Sequence, residues 1–145
     1  MKILVINGPN LNMLGAREEN HYGILTIENI EKLVKSQNTD TEFVFYQSNI
    51  EGEIVGIIQN ASSTFDGILI NPGGYAHTSV AIRDALADCK VPKVEVHLSH
   101  LVNRESFRQN LITASGCDGY ISGFKENGYL AGVFLLKLLL RKEGK

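Results

Sequence analysis

The sequence predicts one α/β domain in which helices cover both faces of a five-stranded parallel sheet. Two observations carry that expectation. Five short runs rich in β-branched and aliphatic residues recur along the chain, each apolar on both faces, as strands inside a parallel sheet are. Between them stand segments whose apolar residues recur at three- and four-residue spacing, the pattern of helices that bury one stripe. At 145 residues, 43% of them apolar and 21% charged, the chain has the size and make-up of one globular domain, 1-145, and not of a disordered, fibrous or membrane protein.

The first run, residues 3–6, ends at Asn7-Gly8-Pro9; it is too brief for a secretory leader, lacks a small-residue cleavage site, and is therefore a strand. Thr26 is placed to cap a helix whose stripe is Ile27, Ile30, Leu33 and Val34. The second strand, 43–46, is followed by the stripe Ile54, Ile57, Ile58 and Ala61. A third strand, 67–70, leads through Thr78-Ser79 into Val80, Ala81, Ala85 and Leu86. Strands at 94–96 and 119–121 follow, and a last helix begins after Asn127. Its apolar run over 130–140, broken by Gly132 and Lys137, falls short of the roughly twenty residues a membrane span requires and is expected to bury one face. Right-handed crossovers convert this alternation into a flavodoxin-like three-layer sandwich.

Composition narrows the partners. A net charge of -2 gives no field to draw in nucleic acid or an anionic membrane, so anion recognition must be local. Cys89 and Cys117 form no CxxC and have no histidine at zinc-site spacing. They are expected to be idle thiols in a reducing compartment, which points to the cytoplasm and to no bound metal.

In a doubly wound sheet, ligands bind beyond the carboxyl ends of the strands. The unusual residues gather there. The stretch 8–25 is long for a strand-to-helix connection and is expected to act as a lid over about 15-25; it carries Asn10, Asn12, Arg17, His21, Tyr22 and Gly23. Asn and Gly also serve tight turns, and Arg and Tyr are ordinary surface residues. A tyrosine works as a base near neutral pH only if positive charge lowers its pKa from about 10, and Arg17 stands in the same loop to supply that charge. His21 is expected at the surface.

Asn71-Pro72-Gly73-Gly74 follows a buried strand and precedes a helix start, which suits either a carboxylate held by backbone N–H groups or a simple tight turn. Neither GxGxxG nor a Walker A sequence occurs. His77 and His97 end connections from different strands, and Glu95 alternates with His97 so that both share a face. A carboxylate beside an imidazole fixes its tautomer and favours its protonated form, as a general acid requires, although a strand-end histidine is also a common structural residue. Arg83-Asp84 and the pair Arg104 and Arg108, four apart, suit solvated ion pairs; with Arg17, the same arginines suit a bidentate carboxylate clamp.

Taken together and in order, Asn7-Gly8-Pro9-Asn10-Leu11-Asn12 through Arg17, Tyr22-Gly23, Asn71 through His77 to Asp84, Glu95-Val96-His97-Leu98-Ser99 and Arg104 through Arg108 resemble the type II 3-dehydroquinate dehydratases over nearly the whole chain. The resemblance implies a cofactor-free lyase converting 3-dehydroquinate to 3-dehydroshikimate in the shikimate pathway of aromatic amino acid biosynthesis. It implies Tyr22 as the base at C2, Arg17 supporting the tyrosinate, Asn10 stabilising an enolate through a water, and His97 protonating the departing C1 hydroxyl. Asn71, His77, Asp84, Leu98, Ser99 and Arg108 correspond to substrate contacts, with Arg104 near the base and Glu95 behind His97. It further implies a homododecamer built from trimers. Two positions depart from the family: Glu19 stands where Pro is common, and His100 where Asn is frequent.

Other functions fit less of the chain. A type I dehydratase needs a Schiff-base lysine in a far larger barrel. A flavodoxin-like flavin- or phosphate-binding module would use the fold and the glycines but leave Tyr22, Arg17 and the two histidines without a role, and a purely structural domain explains still less.

Overall fold

The structure, a computed structural model, describes residues 1–16 and 25–143. Its sheet comprises β1 (Lys2–Asn7), β2 (Glu42–Gln47), β3 (Gly67–Asn71), β4 (Lys93–His97) and β5 (Gly119–Ser122), all parallel, in the order β2-β1-β3-β4-β5. The helices are α1 (Ile27–Gln37), α2 (Glu51–Gln59), α3 (Val80–Asp88) and α4 (Asn127–Glu143). The expected five-stranded α/β sandwich is present.

Strand alternation divides the core in two. Ile3, Val5, Leu69, Val94 and Val96 face α1 and α4, where Ile30, Val34, Val133 and Leu136 meet them. Leu4, Ile6, Ile68 and Ile70 face α2 and α3, against Ile54, Ile58, Ile82 and Leu86. Most of these side chains are fully out of water, each stabilising the fold by roughly 1.5–3 kcal/mol relative to exposure. Thr26 Oγ1 accepts from Asn29 N at 3.2 Å and Ser79 Oγ from Ile82 N at 3.0 Å, so both anticipated helix starts carry real caps. At the far end of α3 the buried Lys93 ammonium donates to the carbonyls of Cys89 and Val91, both at 2.8 Å, placing a cation where the helix leaves carbonyls unpaired.

Three features differ from the sequence expectation, and a fourth fills a gap it left. β2 and β5 are the sheet edges and are only partly covered, Tyr120 being 56% exposed, because each has one strand neighbour. In α3, Val80 and Ala81 face outward and Ile82 takes the buried position, since the cap at Ser79 sets the helix phase. α2 ends at Gln59, so Ala61 is buried from a separate short turn, Ala61–Ser63. The β4–β5 crossover holds no α-helix among the described residues; it runs through 3-10 turns at Leu101–Asn103, Ser106–Gln109 and Thr113–Gly116. The last turn lies hard against α3, where a Cβ on Gly116 would come within 2.7 Å of Arg83 O and 2.9 Å of Leu86 Cβ. Arg104 and Arg108 therefore do not share one helical turn, because Arg104 is extended between two turns.

β1 feeds β2 on one side of the sheet, while β2 returns past β1 to form β3. Adjacent connections thus diverge beyond Asn7 and Asn71, which are register partners, and open the crevice expected at such a switch point.

Candidate active site

The crevice floor is a buried polar chain. Asn7 and Asn71 end their strands with side chains toward α4, where the hydroxyl of Tyr129, 1% exposed, donates to Asn7 Oδ1 at 2.6 Å and accepts from Asn71 Nδ2 at 3.1 Å. Gly73 N–H donates to Asn71 Oδ1 at 3.1 Å. The amide of Asn71 is thereby held at both ends, with its second N–H left for a ligand. The Gly73 N–H, by contrast, is already used, so this glycine serves the turn: its φ is +61° and a Cβ would lie 2.9 Å from Pro9 O.

The loop after β1 is locked to the loop after β3. Gly8 N donates to Asn71 O at 2.8 Å, and a Cβ on Gly8 would strike Pro72 O at 2.4 Å, so only glycine permits this approach. Next comes Asn10 at φ 68°, in the left-handed region that Asn tolerates better than most residues. Its N–H donates to Asn49 Oδ1 at 3.0 Å, and Gln47 Nε2 donates both to that oxygen and to Gly8 O.

The opposite wall rises from β4. Glu95, wholly buried, accepts on Oε1 from His97 Nε2 at 2.6 Å and on Oε2 from the Thr113 hydroxyl at 2.7 Å. With Nε2 engaged, Nδ1 is the ring nitrogen of His97 available to the cleft. His77 stacks nearby, ring centroids 6.3 Å apart and planes 25° from parallel. Its Nδ1 lies 3.0 Å from Asn110 O, an acceptor, so Nδ1 carries the proton. Burial pushes the His77 pKa below the usual 6.5, with the charges of His97 and Arg108 acting the same way and the Asn110 carbonyl opposing them. Near neutral pH, His77 is thus uncharged and offers an Nε2 lone pair to a hydroxyl.

Arg104 Nη1 donates to Ser99 Oγ at 3.2 Å, which leaves the Ser99 proton free for a ligand. Arg108 holds Glu105 at 2.7 Å through Nε, so its terminal nitrogens remain for an anion. Asn10, Asn71, His77, His97, Leu98, Ser99, Arg104 and Arg108 all line this one cleft, with Glu95 directly behind His97.

Asp84 is not among them. It pairs with Arg83 at 3.0 Å on the exposed side of α3, beside Asp88 and Cys89. Arg17, Tyr22 and most of the lid stretch 15–25 lie outside the described residues. Thr113 and Tyr129 escaped the sequence analysis. Tyr129 had a usable signal, since a buried tyrosine in an apolar helix needs a partner for its hydroxyl; Thr113 had none.

The cleft thus combines a carboxylate-backed imidazole, a neutral imidazole acceptor, two arginines and fixed amide and hydroxyl donors. That set suits a small, anionic, polyhydroxylated molecule undergoing proton transfer. Among the described residues, no cluster of His, Cys, Asp and Glu is placed to hold a metal ion.

Residues 1–137 match the profile of the family described as dehydroquinase class II. The chain is 51% identical over 138 residues to a 3-dehydroquinate dehydratase of Carboxydothermus hydrogenoformans, covering 94% of this chain and 90% of that one. It is 50% identical over 141 residues to the Fusobacterium nucleatum protein of the same name, covering 94% and 96%. Among solved structures, a type II dehydroquinase from Butyrivibrio crossotus superposes with a TM-score of 0.92 at 46% identity, over 94% of this chain and 97% of that one. A 3-dehydroquinate dehydratase-like protein from Bifidobacterium longum is more distant, with a TM-score of 0.67 at 26% identity over 96% and 98%.

Proposed function

This chain belongs to the class II dehydroquinase family, and from that membership we propose that it is a hydro-lyase of the shikimate pathway, converting 3-dehydroquinate to 3-dehydroshikimate. The observation that carries the mechanism is the buried Glu95–His97 pair at the end of β4, facing the anion and hydroxyl donors of the cleft.

In this mechanism the Tyr22 phenolate, supported by Arg17, takes a proton from C2 and the electron pair moves to the ketone oxygen as an enolate. Asn10 stabilises that charge through a water. The enolate then collapses, forming the C1–C2 double bond as the C1–O bond breaks, and His97 delivers a proton so that water departs. Tyr22 has gained one proton and His97 has lost one, and exchange with solvent resets both. Asn71, His77, Ser99 and Arg108 bind the hydroxyls and carboxylate, with Leu98 shaping the wall, Asp84 a further contact expected from the family, and Arg104 acting beside the base.

The working unit is a single catalytic domain with a lid at about 15-25, assembled as a homododecamer of trimers in the cytoplasm. Apolar side chains left in water by one chain, Phe124 at 68% and Phe134 at 60% exposure among them, support the assembly. The free thiols of Cys89 and Cys117 support a reducing compartment. Light scattering should return twelve times 16.0 kDa, and a monomer at every concentration would remove the assembly.

The decisive assay mixes purified protein with 3-dehydroquinate and follows the ultraviolet band of a conjugated enone. Absence of the band overturns the activity. Trapping of a protein–substrate adduct by borohydride would replace the enolate route with an iminium one.

A further inference from the structure

We propose that Thr113 is a positioning residue for His97: by pinning the Glu95 carboxylate, its hydroxyl fixes which imidazole nitrogen faces the substrate. This rests on the reading of His97 as the acid.

The geometry is that of a clamp. A carboxylate has lone pairs for about four donors, and a buried one is stable only where protein groups replace the lost water. Among the described residues Glu95 has one donor on each oxygen, His97 at 2.6 Å and Thr113 at 2.7 Å, and both Glu95 and Thr113 are 0% exposed. With only His97 as donor the carboxylate could turn about its last torsion. A second donor on the other oxygen sets its plane, and that plane sets the imidazole.

Thr113 is itself held from two sides. Ile112 N donates to Ala76 O at 2.8 Å, tying the segment to the turn that carries His77. Three residues on, Gly116 touches the α3 backbone too closely for any side chain. Three residues before Thr113, the Asn110 carbonyl receives the His77 Nδ1 proton. Residues 110–113 of the β4–β5 crossover therefore set the hydrogen-bonding face of both histidines in opposite senses: Nδ1 is tied down in His77 and Nε2 in His97. One ring then presents Nε2 to the cleft and the other Nδ1. Each accepts when the ring is neutral, and His97 donates from Nδ1 only as the doubly protonated imidazolium that the Glu95 carboxylate faces.

The groups around the clamp are the charges of Arg104 and Arg108 on the cleft side and, behind Glu95, the Cys117 thiol, whose pKa is raised by burial and by the Glu95 charge. Among the described residues His97 and Thr113 are the donors to Glu95, one on each oxygen, so Thr113 distinguishes the two carboxylate oxygens.

The test is Thr113→Val, which keeps the side-chain shape and deletes the donor, with Thr113→Ser as its control. Thr113→Val should lower kcat on the order of tenfold while KM stays within about twofold, and Thr113→Ser should recover most of the loss. Imidazole 15N shifts of the ligand-free protein supply a readout independent of turnover. Neutral His97 should carry its proton on Nε2 in the wild type and in Thr113→Ser, and a mixture of tautomers in Thr113→Val. A wild-type kcat in Thr113→Val, an equal loss in both variants, or one unchanged tautomer throughout would overturn the inference. Should Thr113→Val fail to fold, a wild-type His97 protonated on Nδ1 overturns it alone. Full turnover by His97→Ala would instead defeat the acid assignment and leave the 15N result to judge the clamp.

Discussion

The two walls of the cleft are built on opposite plans. On the β4 side His97 sits on a strand, 5% exposed, backed by a carboxylate and a threonine that never see water. On the β1 side Asn10 sits in an exposed turn, held through its backbone: a positive φ, an N–H bound to Asn49, and the glycine contact at Gly8 that brings the loop over Pro72. A group that transfers a proton needs its ring plane and protonated nitrogen specified, and buried hydrogen bonds do that in a low dielectric. The role proposed for Asn10, donation through a water, needs only its backbone placed.

The largest effect should come from stripping each wall. His97→Ala should lower kcat by on the order of a hundredfold or more with little change in KM, because a general acid acts chiefly in the transition state. Asn10→Ala should cost less in turnover, and steady-state kinetics on the two variants would break the comparison if the order reversed. The β1 wall should show its dependence on the backbone in stability. Asn10→Ala should be about 1 kcal/mol less stable than Asn10→Gly by denaturant melting, since only glycine accepts the left-handed conformation without strain.

Next in size is the joint between the walls. Tyr129→Phe leaves Asn7 Oδ1 without its donor and Asn71 Nδ2 without its acceptor, both buried. A loss of about 1–3 kcal/mol is expected by chemical denaturation, with a raised KM because the Asn71 amide is free to turn. Unchanged stability would mean the two amides close on each other.

The smallest effect concerns pH. His77 has its pKa lowered in the folded protein, so the unfolded chain binds its proton more readily and stability falls as pH drops through 6.5. His77→Asn should flatten that part of the stability curve relative to the wild type. A parallel curve would place the acid sensitivity elsewhere.

What could be read from the sequence was local. Strand cores, the Thr26 and Ser79 caps and the shared face of Glu95 and His97 each depend on residues within a few positions. The polar partners were not legible, because Thr113 reaches Glu95 across 18 residues and Tyr129 reaches Asn7 across 122. The sequence offered no element for the crossover before β5, whose 3-10 turns are stapled to α3 and to the His77 turn by contacts distant in the chain. Phe134, Leu135 and Leu138 of the apolar run in α4 face outward, a feature that apolar content alone cannot distinguish from core. Asp84 matches a family position, yet its place on the outer side of α3 could not be read from that match.

The Tyr129 hydroxyl also has a bearing on the order of events when the polypeptide acquires its shape. It joins the end of the first strand to the start of the helix after β5, so an early and a late segment of the fold meet at one oxygen. A nascent chain whose first hundred residues have already paired their strands would still carry two unsatisfied amides under an unroofed floor. Loop closure over 122 residues is entropically slow to reward, which makes this contact a late one. The binding surface is therefore finished only when the final helix docks, and partially synthesised protein holds the strands of the enzyme without its cleft.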